Sequence, residues 1–209
     1  MKWAVLVGGT GSNLAALLRH GLGVELVVSH RRGVLALEVA REYGVPTVTL
    51  LPNAYPSREA YGDALRAELV QAKVDAVALA GFMRWLDCET VNAWSGRIFN
   101  IHPSLLPSFS GLNAVAQALA HGVRWTGVTV HVVDEGEDSG PIVAQVPVPI
   151  HRNDTEETLS ARIHRAEHAL YGPVLKAYEA KGFEVQGRNV VWHTGAPDLE
   201  RGSYAVGVD

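Results

Sequence analysis

The chain has 209 residues, of which 47% are hydrophobic and 19% are charged, and its formal net charge is -4. This length fits a single domain with enough apolar side chains for a buried core. A mildly acidic chain lacks the broad basic surface that binds nucleic acid, so neither DNA nor RNA is an expected partner. No apolar run approaches the ~20 residues that span a bilayer, so no membrane partner is expected either.

The only cysteine in the sequence, Cys88, excludes a disulfide within the chain and is typical of proteins from a reducing compartment. It stands in a helix-like stretch without a neighbouring base, and we interpret it as structural. The apolar run at residues 3–8 is too short for a secretory signal. We therefore expect a cytoplasmic protein, either a monomer or a homodimer, that acts on small molecules.

The first half of the chain alternates short apolar runs with helix-like stretches. Strands are predicted over residues 3–7, 24–29, 48–50 and 75–79, and helices over 13–20, 36–43 and 57–73. Ser57 is the expected N-cap of the third helix, and Gly44 is placed to end the second. Apolar strands that alternate with helices predict an α/β fold whose mostly parallel sheet carries helices on both faces.

The second half of the chain changes to an antiparallel pattern. Strands are predicted over residues 98–101, 126–133, 142–148 and 189–192, and helices over 113–120 and from Asp154 onward. The pair 126–133 and 142–148 predicts an antiparallel extension of the sheet. Asp154 and Glu157 predict a capping box at the start of the last helix, and residues 195–209 are predicted to form a loosely ordered tail.

A glycine-rich turn, Gly8–Asn13, lies between the first strand and the first helix. Its glycines let the backbone approach a ligand, and the helix start offers free N–H groups and a positive dipole end to a phosphate. The turn is not a dinucleotide fingerprint, because Leu14 stands where the third glycine belongs, and no lysine follows to make a Walker loop. A plain turn capped by Asn13 is the alternative, and these residues alone do not separate the two.

Two polar side chains, Asn100 and His102, end an apolar strand. Strand geometry points residues two apart to the same face, and open α/β sheets bind ligands at the carboxyl ends of their strands. An amide beside an imidazole suits the stabilisation of a developing oxyanion and proton transfer. The alternative is that both side chains only satisfy loop backbone groups, although Pro103 and Pro107 argue against it.

An acidic turn, residues 134–141, joins the two strands of the predicted extension. Such a run of charges is usually a solvated turn. The alternative is that one carboxylate turns inward and pairs with His102, which would favour the imidazolium form. We choose Asp138 because Gly140 and Pro141 fix the turn beside it, while Asp134 remains a close alternative.

Two weaker patterns remain. Residues 81–86 (GFMRWL) follow a strand and offer apolar side chains either to a pocket for an aromatic ring or to the core, and the residues alone favour the core. His164 and His168 lie four apart on the last helix, but no HExxH pattern is present, so we interpret them as part of a polar face. No metal is expected.

Six motifs occur in order within a region of resemblance that runs from about residue 2 to about residue 192: VLVGGTGSNL, SREAY, LAGFMRWL, FNIHPSLLP, GVTVHVVDEGEDSGP and RAEHALY. Together they resemble the glycinamide ribonucleotide formyltransferase family. The resemblance implies a Rossmann-like formyltransferase fold in one domain over residues 1–194. It also implies a phosphate-binding half at about residues 1–100 and a folate and catalytic half at about residues 100–194.

The resemblance assigns roles to individual residues. The residues that it implies for binding the phosphate and the other groups of the ribonucleotide are Gly11, Ser12, Asn13 and Glu167. The folate is assigned to Arg58, Met83, Arg84, Trp85, Leu86 and Asn100. The catalytic group is assigned to Asn100, His102 and Asp138. The implied co-substrate is 10-formyltetrahydrofolate, and no metal is implied.

Four residues depart from the family pattern. Gly8 stands where serine is frequent, Thr10 stands where asparagine is frequent, Ser110 replaces a proline, and Asn113 occupies a variable position. These departures concern loop stiffness near the ribonucleotide, so we expect them to affect substrate affinity more than the reaction.

The activity implied by the resemblance is formyl transfer to the amine of glycinamide ribonucleotide in purine biosynthesis. One alternative is a formyltetrahydrofolate hydrolase. Hydrolases of that kind are expected to carry a regulatory domain before the glycine-rich turn, and here that turn begins at residue 8, so we expect no such domain. A methionyl-tRNA formyltransferase would need a basic RNA-binding domain. A non-catalytic nucleotide- or folate-binding protein is a further alternative, against which the joint presence of Asn100, His102 and Asp138 argues.

Overall fold

The structure is a computed structural model and describes residues 1–193. The strands are β1 (Trp3–Val7), β2 (Val24–Ser29), β3 (Thr47–Thr49), β4 (Ala76–Ala80), β5 (Ile98–His102), β6 (Trp125–Val132), β7 (Ile142–Pro149), β8 (Phe183–Gln186) and β9 (Asn189–Trp192). The helices are α1 (Ser12–Arg19), α2 (Leu35–Glu42), α3 (Arg58–Gln71), α4 (Cys88–Ala93), α5 (Ala114–His121) and α6 (Glu156–Glu179). The predicted tail at residues 195–209, like residue 194, lies outside the described residues.

Seven of these strands form one sheet in the order β3-β2-β1-β4-β5-β6-β7. Strand β1 pairs in parallel with β2 and β4, and the pairs β2·β3 and β4·β5 are parallel as well. Strands β6 and β7 are antiparallel. The predicted α/β fold, with a mostly parallel sheet and an antiparallel extension, is therefore confirmed. The chain divides into two compact units, one of residues 1–100 with 133–135, the other of residues 101–132 and those from 136 on.

The core of the first unit lies on both faces of its parallel strands. On one face, Ala4 and Leu6 of β1 join a buried cluster with Leu65 and Leu69 of α3. The other residues of β1 point to the opposite face by strand geometry, and they are equally buried. Neither face of β1 is therefore exposed to solvent, which explains why its sequence is a continuous apolar run. Burial of each large apolar side chain contributes about 1.5–3 kcal/mol to stability.

The second unit is built on β6, β7 and the long helix α6, which packs against both strands. The predicted capping box at Asp154 and Glu157 is wrong, because Thr155 is the N-cap and Thr158 is its reciprocal partner. The Asp154 carboxylate instead accepts hydrogen bonds from Arg162 at 2.7 and 3.0 Å. A guanidinium two turns along the helix therefore takes the carboxylate, and the helix begins one residue later. Strands β8 and β9 form a separate hairpin.

A buried histidine explains why glycine occupies position 8. His30 is 6% exposed, its Nδ1 lies 3.2 Å from the carbonyl oxygen of Val7, and its ring packs edge-on against Phe82. Burial lowers the pKa of His30, so its ring is a neutral part of the core. A Cβ on Gly8 would lie 2.1 Å from His30 Cε1 and 2.8 Å from the carbonyl oxygen of Gly81. The side chain of serine, the residue that the resemblance leads us to expect at position 8, would therefore collide with His30.

Gly8→Ala should destabilise the protein by about 1–3 kcal/mol, the usual cost of forcing atoms into a packed core. Gly9→Ala is the matched control, because a Cβ on Gly9 would meet nothing within 4 Å, and it should stay within about 0.5 kcal/mol of wild type. His30→Ala in the Gly8→Ala background should relieve part of the loss. Urea unfolding measures all four proteins, and equal stability of Gly8→Ala and Gly9→Ala would refute the packing argument.

Candidate active site

The glycine-rich turn ends in the first turn of α1. Gly11 is the N-cap with a left-handed backbone (φ 81°), and it makes no side-chain capping bond. The alternative in which Asn13 caps the helix is therefore wrong, because the helix already begins at Ser12. Helix geometry leaves the N–H groups of a first turn without intrahelical acceptors. The turn thus presents a helix start, with its positive dipole end, whose N-cap offers no side chain to neutralise it.

A cavity of about 420 Å³ in the first unit gathers several of the residues that the resemblance assigns to the folate. Its lining includes Arg58 of α3 and the irregular segment Met83–Leu86 that follows β4. Met83 and Trp85 are 64% and 53% exposed, so the interpretation of residues 81–86 as core packing is wrong for both of them. It holds for Phe82, which is buried. The cavity is therefore walled by apolar side chains that the core does not use.

A tyrosine hydroxyl on the wall of this cavity lacks a partner. Tyr61 lines the cavity and is buried, and its hydroxyl has no hydrogen-bond partner among residues 1–193. Burial raises the pKa of Tyr61 to about 12. The phenol is therefore a neutral group, and leaving its hydroxyl unpaired costs about 1–3 kcal/mol.

His102, at the end of β5, is held between two oxygen acceptors. It is 5% exposed, its Nδ1 lies 3.2 Å from Oδ2 of Asp138, and its Nε2 lies 2.9 Å from the carbonyl oxygen of Phe109. A carboxylate and a carbonyl both only accept, so both ring nitrogens must carry a proton for both contacts to be hydrogen bonds. This geometry suits the imidazolium form, and it brings together the histidine and the carboxylate chosen from the sequence.

Asp138 is fixed by three groups besides the turn in which it lies. Its backbone is left-handed (φ 48°), a conformation that aspartate and asparagine tolerate better than most residues. Oδ2 accepts a 2.8 Å hydrogen bond from the amide of Gly111, and Oδ1 lies 3.6 Å from Nε2 of His131. Burial alone would raise the pKa of Asp138, but contacts with His131, Gly111 and His102 outweigh it and lower the pKa. The carboxylate therefore stays ionised.

Sequence reasoning missed two contributors to this cluster, His131 and Phe109. His131 lies in the predicted strand 126–133, and strand periodicity places it on the same face as Thr129, which was a usable signal. Phe109 contributes a backbone carbonyl, which no side-chain pattern reveals. Thr129 steadies the intervening segment, since its Oγ1 accepts from the amide of Leu106 at 3.1 Å and donates to the carbonyl of Ser104 at 2.7 Å.

The remaining predicted site residues lie on regular elements. Asn100 is half-buried in β5, in register with Leu79 of β4, and strand periodicity gives it the same side as His102. Glu167 is buried in α6 at 4% exposure. Across residues 1–193, no group of three or more His, Cys, Asp or Glu side chains is arranged to hold a metal ion. None of the helices in that range is long and apolar enough to cross a membrane.

Asp138 should contribute to stability at neutral pH and lose that contribution in acid. Its folded-state pKa is depressed, so the contribution is complete above the unfolded-state value and disappears as the pH falls through the folded-state value. The gap in stability between wild type and Asp138→Asn should therefore shrink as the pH falls from 7 towards 3. Urea unfolding across that range measures it, with the exposed neighbour Glu137→Gln as control. A gap that stays constant with pH would contradict the assignment.

We compared the chain with protein families and with known proteins. Residues 1–175 match the model of the formyl transferase family. The phosphoribosylglycinamide formyltransferases of Bacillus subtilis and Escherichia coli are each 39% identical to the chain, with 84% and 93% of the chain aligned to 93% and 94% of those proteins. The trifunctional purine biosynthetic protein adenosine-3 of Drosophila pseudoobscura is 49% identical over 79% of the chain, which spans only 13% of that protein.

Solved structures agree with the sequence relatives. A glycinamide ribonucleotide transformylase 1 from Symbiobacterium toebii superposes with a TM-score of 0.89 at 42% identity, covering 92% of the chain and 93% of that structure. The phosphoribosylglycinamide formyltransferase of Anaplasma phagocytophilum gives a TM-score of 0.88 at 37% identity, over 95% and 97% of the two chains. With a family model matched over most of its length and relatives aligned nearly end to end, the chain belongs to the formyl transferase family.

Proposed function

We propose that this chain transfers the formyl group of 10-formyltetrahydrofolate to the amine of glycinamide ribonucleotide, giving formylglycinamide ribonucleotide and tetrahydrofolate. The observation that carries the proposal is the pairing of His102 with the ionised Asp138 at 3.2 Å in a chain of the formyl transferase family. The single cysteine favours a cytoplasmic setting for this reaction. A monomer or a homodimer remains the prediction for its assembly.

The proposed chemistry begins with attack of the substrate amine on the formyl carbon. The carbonyl oxygen becomes the oxyanion of a tetrahedral intermediate, and Asn100 and the protonated His102 donate hydrogen bonds to it. His102 then delivers a proton to the departing folate nitrogen, while the attacking amine loses one to water. Asp138 does not touch the reacting atoms in this scheme. It keeps the imidazole charged and oriented.

The carbonyl of Phe109 has a place in the same scheme. It lies 2.9 Å from His102 Nε2, so in the free protein a neutral carbonyl accepts the hydrogen bond that the scheme directs to the formyl oxygen. A developing oxyanion is a stronger acceptor than a peptide carbonyl. We infer that the N–H of His102 exchanges the Phe109 carbonyl for the formyl oxygen as negative charge builds up there, so the stronger hydrogen bond forms only in the transition state.

The two substrates are assigned to different sets of residues. The phosphate of the ribonucleotide binds at Gly11–Asn13, because the start of α1 presents N–H groups and a positive dipole end. Glu167 of α6, a buried carboxylate, contacts the polar groups of the same substrate. The folate, a flat ring system with an anionic tail, fits the 420 Å³ cavity by size and by charge, since Arg58 and Arg84 line it beside Trp85 and Leu86.

The test of this function is an assay with both substrates, supplied together and one at a time. We expect tetrahydrofolate to appear only when glycinamide ribonucleotide is present, in a one-to-one ratio with the formylated ribonucleotide. Folate turnover at the same rate without ribonucleotide would identify a hydrolase instead. Binding of both substrates without turnover would identify a non-catalytic binding protein.

Substitutions at the three proposed catalytic positions should separate chemistry from folding. His102→Ala and Asn100→Ala each remove an oxyanion donor and should lower kcat by about a hundredfold to a thousandfold. Asp138→Asn keeps the shape and the tolerance for a left-handed backbone but loses the charge, and it should lower kcat comparably. Circular dichroism checks that the variants are folded. Three folded variants with wild-type rates would remove these residues from the mechanism.

A further inference from the structure

Arg66 of α3 is the centre of a charged cluster that no step of the proposed chemistry uses. Its Nη1 donates to both carboxylate oxygens of Asp87 at 2.8 Å and to Oγ1 of Thr90 at 3.0 Å. Its Nη2 donates to Glu89 at 2.7 Å and also to Asp63. The Arg66 side chain is only 16% exposed. Four of these five hydrogen bonds join α3 to the start of α4, and the fifth, to Asp63, stays within α3.

Asp87 connects this cluster to the cavity assigned to the folate. It is the N-cap of α4, accepting a 2.7 Å hydrogen bond from the amide of Thr90, and it directly follows the segment Met83–Leu86. Asp87 and Thr90 both line the cavity, whereas Arg66 does not. Burial alone would raise the pKa of Asp87, but hydrogen bonds from Thr90 and Arg66 lower it. An ionised side chain therefore fixes the end of the segment.

Gly62 shows how closely α3 approaches this carboxylate. A Cβ at position 62 would lie 1.7 Å from Oδ2 of Asp87, so any larger residue would displace the carboxylate. Gly62 and Arg66 are four apart and share one face of α3. The helix therefore leaves limited space for the Asp87 carboxylate and places the Nη1 donor of Arg66 beside it.

The segment between β4 and α4 is anchored at its two ends and exposed between them. Phe82 is buried against His30, with ring centroids 4.9 Å apart, and Asp87 is held by Arg66. Met83 and Trp85, which lie between these anchors, are mostly exposed and have no regular secondary structure. Because core packing does not fix their positions, the anchors must do so.

We propose that Arg66 is a positioning residue which, by holding Asp87, sets the conformation of Met83–Leu86 and thereby the affinity for the folate donor. The identity of the donor rests on the function proposed above. The positioning role rests only on the contacts described here. A buried ion pair adds little net stability compared with an apolar pair of the same volume, but it specifies one geometry. Removing one partner alone leaves the other charge unpaired and lowers stability, so the effect on binding is judged against a variant that carries the same cost.

The test compares Arg66→Met with Arg162→Met. Arg162 makes a similar buried pair, with Asp154 at 2.7 Å and side chains 12% and 5% exposed, but it belongs to the second unit, where it donates hydrogen bonds to Asp154 and to the carbonyl of Pro149. Both variants lose a buried guanidinium of equal size. Any general cost of losing such a pair therefore appears in both, and thermal unfolding measures it.

Arg66→Met should raise KM for 10-formyltetrahydrofolate about tenfold, within the range seen for residues coupled in one network. The kcat and the KM for the ribonucleotide should stay within about twofold of wild type, because a binding contact shared by ground and transition states changes KM alone. Arg162→Met should leave all three constants near wild type. Equal KM values for the donor in the two variants would overturn the proposal.

A second measurement does not depend on the identity of the ligand. Hydrogen–deuterium exchange should speed up at the backbone amides of residues 83–87 in Arg66→Met and stay unchanged there in Arg162→Met. Unchanged exchange in both variants overturns the positioning role. Faster exchange together with a wild-type protein that does not transfer formyl groups would instead reject the proposed function and leave the positioning of the segment established.

Discussion

The chemistry that we propose for this protein depends on one buried contact, between His102 and Asp138. Each partner needs the other, because a buried charge without a partner is costly. The carboxylate remains ionised only because the amide of Gly111 and the ring of His131 add to the attraction of His102 and outweigh its burial. The histidine lies between that carboxylate and the carbonyl of Phe109. The proton that the proposed mechanism places on His102 Nε2 is thus positioned by groups from β5, β6 and the neighbouring turns.

The same principle, an irregular segment fixed by regular elements, recurs elsewhere in the molecule. The glycine-rich turn follows a fully buried strand and ends in a helix, so its backbone N–H groups are presented by a rigid frame. The cavity segment Met83–Leu86 begins at a buried phenylalanine and ends at a helix cap. The segment after His102 is tied to β6 by the hydroxyl of Thr129. Each of these three segments is irregular, and the strands and helices at its ends set its position.

Much of the fold and part of the site could be predicted from the sequence, because the relevant signals are local. Apolar runs marked the strands, and the period of two placed Asn100 and His102 on one side of β5. Contacts between residues distant in the chain were out of reach. The glycine at position 8 is explained by the ring of His30, which lies 22 positions away in the sequence. The predicted capping box was wrong because the Asp154 carboxylate accepts hydrogen bonds from Arg162 instead. The site was found through side chains, so the carbonyl of Phe109 was missed.

The central claim is that Asp138 holds His102 in its doubly protonated form. Nitrogen NMR of the ¹⁵N-labelled imidazole measures this directly at neutral pH, with His102→Gln used to assign the signals. We predict that both ring nitrogens of His102 are protonated in wild type and that Asp138→Asn converts the ring to a neutral tautomer. A neutral His102 ring in wild type, or an unchanged spectrum in Asp138→Asn, would contradict the account.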